Sequence, residues 1–132
     1  MFLHEGITMF RYYNANPQNN KVGDCVIRAI CTAFDQSWEK IYIDLCLKGY
    51  EMADMPSSNR VWMEYLKENG WRRHIIPDTC PECYTVKDFC GEHFKGTYIL
   101  GSGTHTICVK DSDWIDTWDS GEEYVVYYWE KE

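Results

Sequence analysis

The chain has 132 residues, the length of one compact domain. With 45% hydrophobic and 16% aromatic residues it can build a core, which argues against intrinsic disorder. Thirteen Lys and Arg against 21 Asp and Glu leave a net charge of -8, and such a surface repels phosphate backbones, so neither nucleic acid nor an anionic membrane is an expected partner.

No apolar run approaches the ~18 residues of a membrane span. MFLHEGITMF lacks the basic and apolar regions of a secretory signal. Seven cysteines do not make an even disulfide framework. A reducing, cytoplasmic setting is therefore expected, with thiols acting as core fillers, metal ligands or a nucleophile.

In chain order, residues 1–12 read as a loose N-terminal segment, residues 1–10 alternatively as a short strand, and Met9 as an alternative start. Asn14 to Asn20 is loop chemistry, rich in Asn and Pro. A first helix is expected from Gly23-Asp24, with Val26, Ala29, Ile30 and Ala33 on one buried face. Ser37 reads as the N-cap of a second helix, which places Trp38, Ile41, Tyr42 and Leu45 inward and stops at Gly49. A third helix runs from about Ser58, with Val61, Trp62, Tyr65 and Leu66 inward, and ends at Gly70. Arg72 to Ile76 is a short strand closed by Pro77, and Thr85 to Asp88 has the spacing of a capping box opening a brief helix. The last third turns to β-branched and aromatic runs at 97–100, 104–110, 114–118 and 124–129, separated by Gly and Asp/Ser clusters as in an antiparallel meander. Helices first and strands later predict an α+β domain.

Cys25 falls in the first turn of the first helix, where backbone N–H groups and the helix dipole favour a thiolate. A thiol nucleophile also needs an imidazole to take its proton and a third group to orient that imidazole. His105 opens a predicted strand after Gly101-Ser-Gly-Thr104. The turn at Asp111-Ser-Asp113 folds the next strand back beside it, so that Asp116-Thr-Trp-Asp119 brings a carboxylate to the ring. The bland alternatives are a buried core cysteine and an ordinary edge-strand histidine. Cys31, Cys46 and Cys108 sit among apolar residues and read as packing.

On GDCVIRAI (23–30), GTHTICV (103–109) and DTWDS (116–120), the chain resembles the papain-like cysteine peptidase superfamily. In style it is similar to bacteriocin-leader-processing peptidases and cell-wall endopeptidases. The resemblance spans about residues 13–129 in order and topology, and implies a minimal papain-like core with the nucleophile helix packed on a C-terminal antiparallel sheet. Papain-like families often carry an Asn followed two residues later by a Trp that shields the Asn–His contact. Asp116 and Trp118 reproduce that spacing, which makes Asp116 the implied orienting residue and Asp119 its competitor. The superfamily's oxyanion side-chain donor, six residues before the nucleophile, maps to Asn19, with Gln18 and Asn20 adjacent. The string GDCVIRAI also resembles the nucleophile helix of ovarian-tumour-type deubiquitinases.

The resemblance implies a small intracellular thiol hydrolase acting on a peptide, isopeptide or other amide bond, with Cys25, His105 and Asp116 as the triad and a peptide or protein as substrate. Needing no cofactor, it would use water alone. Two other readings compete. The same fold can act as a protein-binding module with its chemistry unused. Alternatively, Cys80, Cys83, Cys90 and His93 form a C-x2-C and a C-x2-H pair, the ligand types of a structural zinc site organising an adaptor. Size and acidity also resemble proteins of bacterial viruses or mobile elements.

Overall fold

The computed structural model describes residues 8–77 and 81–132. It is an α+β domain of four helices and a six-stranded mixed sheet. Strand β1 (Met9–Tyr12) is followed by α1 (Cys25–Phe34), α2 (Trp38–Met52), α3 (Asn59–Glu68), β2 (Trp71–Ile75) and α4 (Val86–Glu92). Strands β3 (Thr97–Gly101), β4 (Thr106–Lys110), β5 (Asp113–Asp116) and β6 (Tyr127–Lys131) complete it.

Local chemistry sets most boundaries. The Ser37 hydroxyl accepts the Lys40 N–H and caps α2. At Thr85 both halves of the capping box form with Asp88 and open α4. Gly70, with φ +84°, follows α3 and makes the turn into β2. The expectation that Gly49 stops α2 is not met. The helix runs to Met52 and is closed by Ala53 in the left-handed region. Gly49 is needed for a different reason: a Cβ there would lie 2.8 Å from the Asp54 carbonyl oxygen, so the loop after α2 can fold back only onto a bare backbone.

The strand order is β1-β5-β4-β3-β6-β2. Strands β3, β4 and β5 form the expected meander, but β6 does not continue it. The outer edge of β5 is taken by β1, which pairs with it in parallel from Met9↔Asp113 to Tyr12↔Asp116. The chain therefore crosses back, and β6 inserts between β3 (Ile99↔Trp129) and β2 (Arg73↔Trp129). Residues 9–12 are thus an edge strand rather than a loose tail. The run expected as a strand over 114–118 ends at Asp116, and that over 124–129 becomes regular only from Tyr127.

Alternation along the strands divides the core in two. Ile99, Cys108, Ile115 and Trp129 face α1, α2 and α3, packing on Ile30, Leu45, Trp62 and Leu66. Leu100, Ile107, Val109 and Trp114 point the other way, onto Val86, Phe89 and Cys90 of α4. The β4–β5 hairpin is turned by Asp111 and Ser112, both with positive φ. This packing lays the start of α1 across the ends of β4 and β5.

Candidate active site

Cys25 begins α1, preceded by Asp24. Asp24 stands at the N-cap position, but its carboxylate does not bond the helix donors. It is drawn instead to Arg28 Nε at 2.8 Å and to Trp38 Nε1 at 2.9 Å. The N–H groups of the first turn thus remain available to an anion at the helix mouth.

His105 lies immediately before β4, on a turn closed by the Ser102 N–H donating to the His105 carbonyl. Gly103, with φ +98°, makes that turn possible. The imidazole faces the Cys25 thiol, close enough for each to shift the other's ionisation, and both line one cleft. Its Nε2 lies 2.6 Å from Asp116 Oδ2. With Nε2 committed to the carboxylate, Nδ1 is the ring nitrogen left to serve the thiol. The Trp118 ring lies over the imidazole, with centroids 4.9 Å apart. Trp118 gets there because β5 stops at Asp116 and the chain turns.

Asp116 is almost wholly buried, its side chain 1% exposed, and it is fully engaged. Oδ2 accepts from the Ser120 hydroxyl at 2.8 Å as well as facing His105. Oδ1 accepts from Arg28 Nη1 at 2.9 Å and from the Thr117 N–H at 2.8 Å.

These contacts set the charges. Burial pushes the Cys25 thiol up, but the hydrogen bond to His105, the Thr106 backbone and the positive charges of His105 and Arg28 outweigh it, and the net shift is downward. Burial pulls His105 down, yet the hydrogen bonds to Asp116 and Cys25 carry it to about 9. Asp116 is raised by burial and lowered further by His105 and Ser120, ending below its ordinary value. Burial drives Cys31 up to about 11 and Cys90 and Cys108 up to about 12. The thiol at the helix mouth is thus set apart from these core thiols, and the arrangement favours a thiolate–imidazolium pair.

The thiol opens on a cleft of about 170 Å³ bounded by Gly23, Val26, Ser57, Gly103, His105 and Tyr127, among others. Beside it lies a groove of about 540 Å³ that shares Gly23, Val26 and Ser57 with the cleft and runs on between Trp38, Tyr42 and Met55.

Other residues singled out from the sequence lie elsewhere. Asp119 caps its own turn, accepting from Trp114 Nε1 at 2.9 Å and from the Gly121 N–H at 3.1 Å. Asn19 is exposed on a turn with φ 58°, whereas its neighbours Asn16 and Asn20 line the groove. Cys80 lies outside the described residues. Of its companions, Cys90 is buried in the core under Ser112, and the His93 ring stacks on Phe89 with centroids 3.8 Å apart. Among the described residues no three His, Cys, Asp or Glu side chains are grouped as a metal would need. Among them, too, no helix is long and apolar enough to cross a membrane. Nothing in the sequence singles out Arg28 or Ser120 for this site. Their partner Asp116 lies 88 residues from Arg28, while Ser120 reads locally as part of an ordinary Asp-Ser-Gly turn.

No family model matches the chain, and no curated protein or solved structure does either.

Proposed function

We propose that this protein is a papain-like thiol hydrolase that cleaves a peptide, isopeptide or other amide bond through Cys25, His105 and Asp116. The observation that carries the reading is a thiol facing an imidazole that is itself hydrogen-bonded to a buried carboxylate, with thiol and imidazole lining one cleft. A nucleophile, its base and a group orienting that base are the arrangement that serves acyl transfer to sulfur. The placement of the thiol at a helix start against a sheet bearing His and Asp supports the papain-like assignment.

In this mechanism the Cys25 thiolate adds to the acyl carbon, and the carbonyl electron pair moves to oxygen. The first-turn N–H of Cys25 is the backbone donor to that oxyanion. Collapse breaks the C–N bond as His105 gives its proton to the departing amine. His105 then takes a proton from water, whose oxygen attacks the thioester, releasing the acid and restoring the thiolate. Asp116 holds the ring by Nε2 throughout and stabilises its charged form.

The direction of the substrate follows from the same chemistry. The amine must leave beside His105, which protonates it. The groove is walled by residues of 16–27, 38–46 and 55–57 and is not lined by His105, so it is assigned to the acyl side. Its apolar walls suit a bulky apolar side chain.

The test is alkylation by iodoacetamide, followed thiol by thiol by peptide mass analysis. Cys25 should react faster than the other six thiols, and His105→Ala should suppress that excess. Equal reactivity of all exposed thiols would defeat the proposal.

A further inference from the structure

The guanidinium of Arg28 joins two buried carboxylates that flank the thiol. Nε holds Asp24 at 2.8 Å, the residue directly before the nucleophile, and Nη1 holds Asp116 at 2.9 Å, with Thr117 Oγ1 at 3.3 Å. The three charged side chains are only 11%, 5% and 1% exposed. Arg28 stands three residues after Cys25, on the same face of α1, so the bridge ties the element that carries the thiol to the strand end that carries the carboxylate.

We propose that Arg28 is a positioning residue for the hydrolytic site: by spanning Asp24 and Asp116 it fixes the spacing of α1 and β5 and the edge of Asp116 that His105 meets. This inference rests on the thiol-hydrolase reading. A carboxylate turns almost freely about its last bond unless both oxygens are held. Thr117 and Arg28 hold Oδ1, and His105 and Ser120 share Oδ2. Of these donors, Arg28 alone reaches across from the nucleophile helix. Its planar fork presents Nε to Asp24 and Nη1 to Asp116 from two fixed positions, a spacing that the single nitrogen of a Lys ammonium does not reproduce. Its charge acts as well: without it, Asp24 is left with the neutral donors Trp38 and Asn16, and Asp116 with His105 as its cation, beside a thiol that must ionise. The other ionisable groups around the site are Cys25 and His105 themselves and Tyr127 of β6, with Arg73 of β2 over the Tyr127 ring at 5.9 Å. None of these bridges α1 to β5.

The experiment follows the rate of Cys25 alkylation by iodoacetamide from about pH 5 to about pH 9, together with thermal melting. It compares wild type, Arg28→Lys, Arg28→Gln and the double variant Asp24→Asn/Arg28→Gln. The double variant removes one stranded anion and guards against simple failure to fold. Arg28→Gln and the double variant should move the thiol's ionisation toward its ordinary value of 9.0. Alkylation on the acid side should then slow, about tenfold if the ionisation midpoint climbs by one on the pH scale. Arg28→Lys should restore only part of the rate. Profiles that superimpose on wild type while melting temperature falls would reduce Arg28 to a structural ion pair, and full rescue by Lys would overturn the role given to the guanidinium fork. If wild-type Cys25 itself shows no excess reactivity, the hydrolase reading fails and this inference falls with it.

Discussion

At the scale of single residues, the Asp116 carboxylate is the most heavily partnered group of the site, and its donors differ in what they protect. Ser120 is fully buried and gives its hydroxyl proton to Oδ2. Ser120→Ala should cost about 1.5–3 kcal/mol in denaturant unfolding, the range for a hydrogen bond to a charged group. It should slow Cys25 alkylation less than His105→Ala does. For His105 the sign of the pH dependence is fixed by its rise from 6.5 to about 9. Its contacts stabilise the fold fully below the ordinary value, and that contribution is lost as pH climbs through about 9. Melting temperature should therefore decline over that alkaline interval, and the decline should flatten in His105→Gln. In the proposed hydrolase, amide cleavage should fall as pH climbs through about 9, because the imidazolium assigned to protonate the amine disappears. Asp116, displaced downward, behaves in the opposite sense: its contribution is present above its ordinary value of 3.8 and is lost as acid protonates it. Cys25 and His105 are legible in the sequence because helix starts and strand starts are marked by local chemistry. Choosing Asp116 over Asp119 needs the resemblance, since both carboxylates fall within one turn. Arg28 is not legible, because nothing local distinguishes a helical arginine facing solvent from one reaching a distant strand.

At the scale of elements, two glycines show how the site's surroundings are shaped by absent side chains. A Cβ at Gly101, the end of β3, would overlap the ring of Tyr127 on β6. Tyr127 walls the cleft. Gly101→Ala should thus force that ring to move and change Cys25 alkylation without touching the triad, at a cost of about 1–3 kcal/mol. Gly49→Ala crowds the Asp54 carbonyl and Pro56, which belong to the loop forming the far wall of the groove. It should destabilise to a similar degree, read as a lower denaturant midpoint. The four helices and most strands can be read from periodicity and capping, as at Ser37 and Thr85. The end of α2 cannot, because Gly49 looks like a stop until the loop that packs on it is known. The short reach of β5 is hidden too: Thr117 and Trp118 have strand propensity, but the Thr117 N–H turns to the Asp116 carboxylate.

At the scale of the whole molecule, β1 supports the site from outside. It pairs Tyr12 with Asp116, and the Tyr13 N–H donates to the Asp116 carbonyl at 3.0 Å. Removing residues 1–12 should bare the edge of β5, lower the melting temperature and reduce Cys25 alkylation, although none of residues 8–12 lines the cleft at the thiol. The α+β class is legible from the order of helical and strand patterns. The strand order is not, because pairing between distant segments leaves no local mark: β1 could equally be tail, and β6 a simple continuation. That crossing has a temporal consequence. Because β6 is an interior strand laid between β3 and β2, β2 cannot join the rest of the sheet until β6 has been made. Helix α1 is made before His105, so a chain synthesised only through α1 holds Cys25 without the imidazole that helps lower its ionisation.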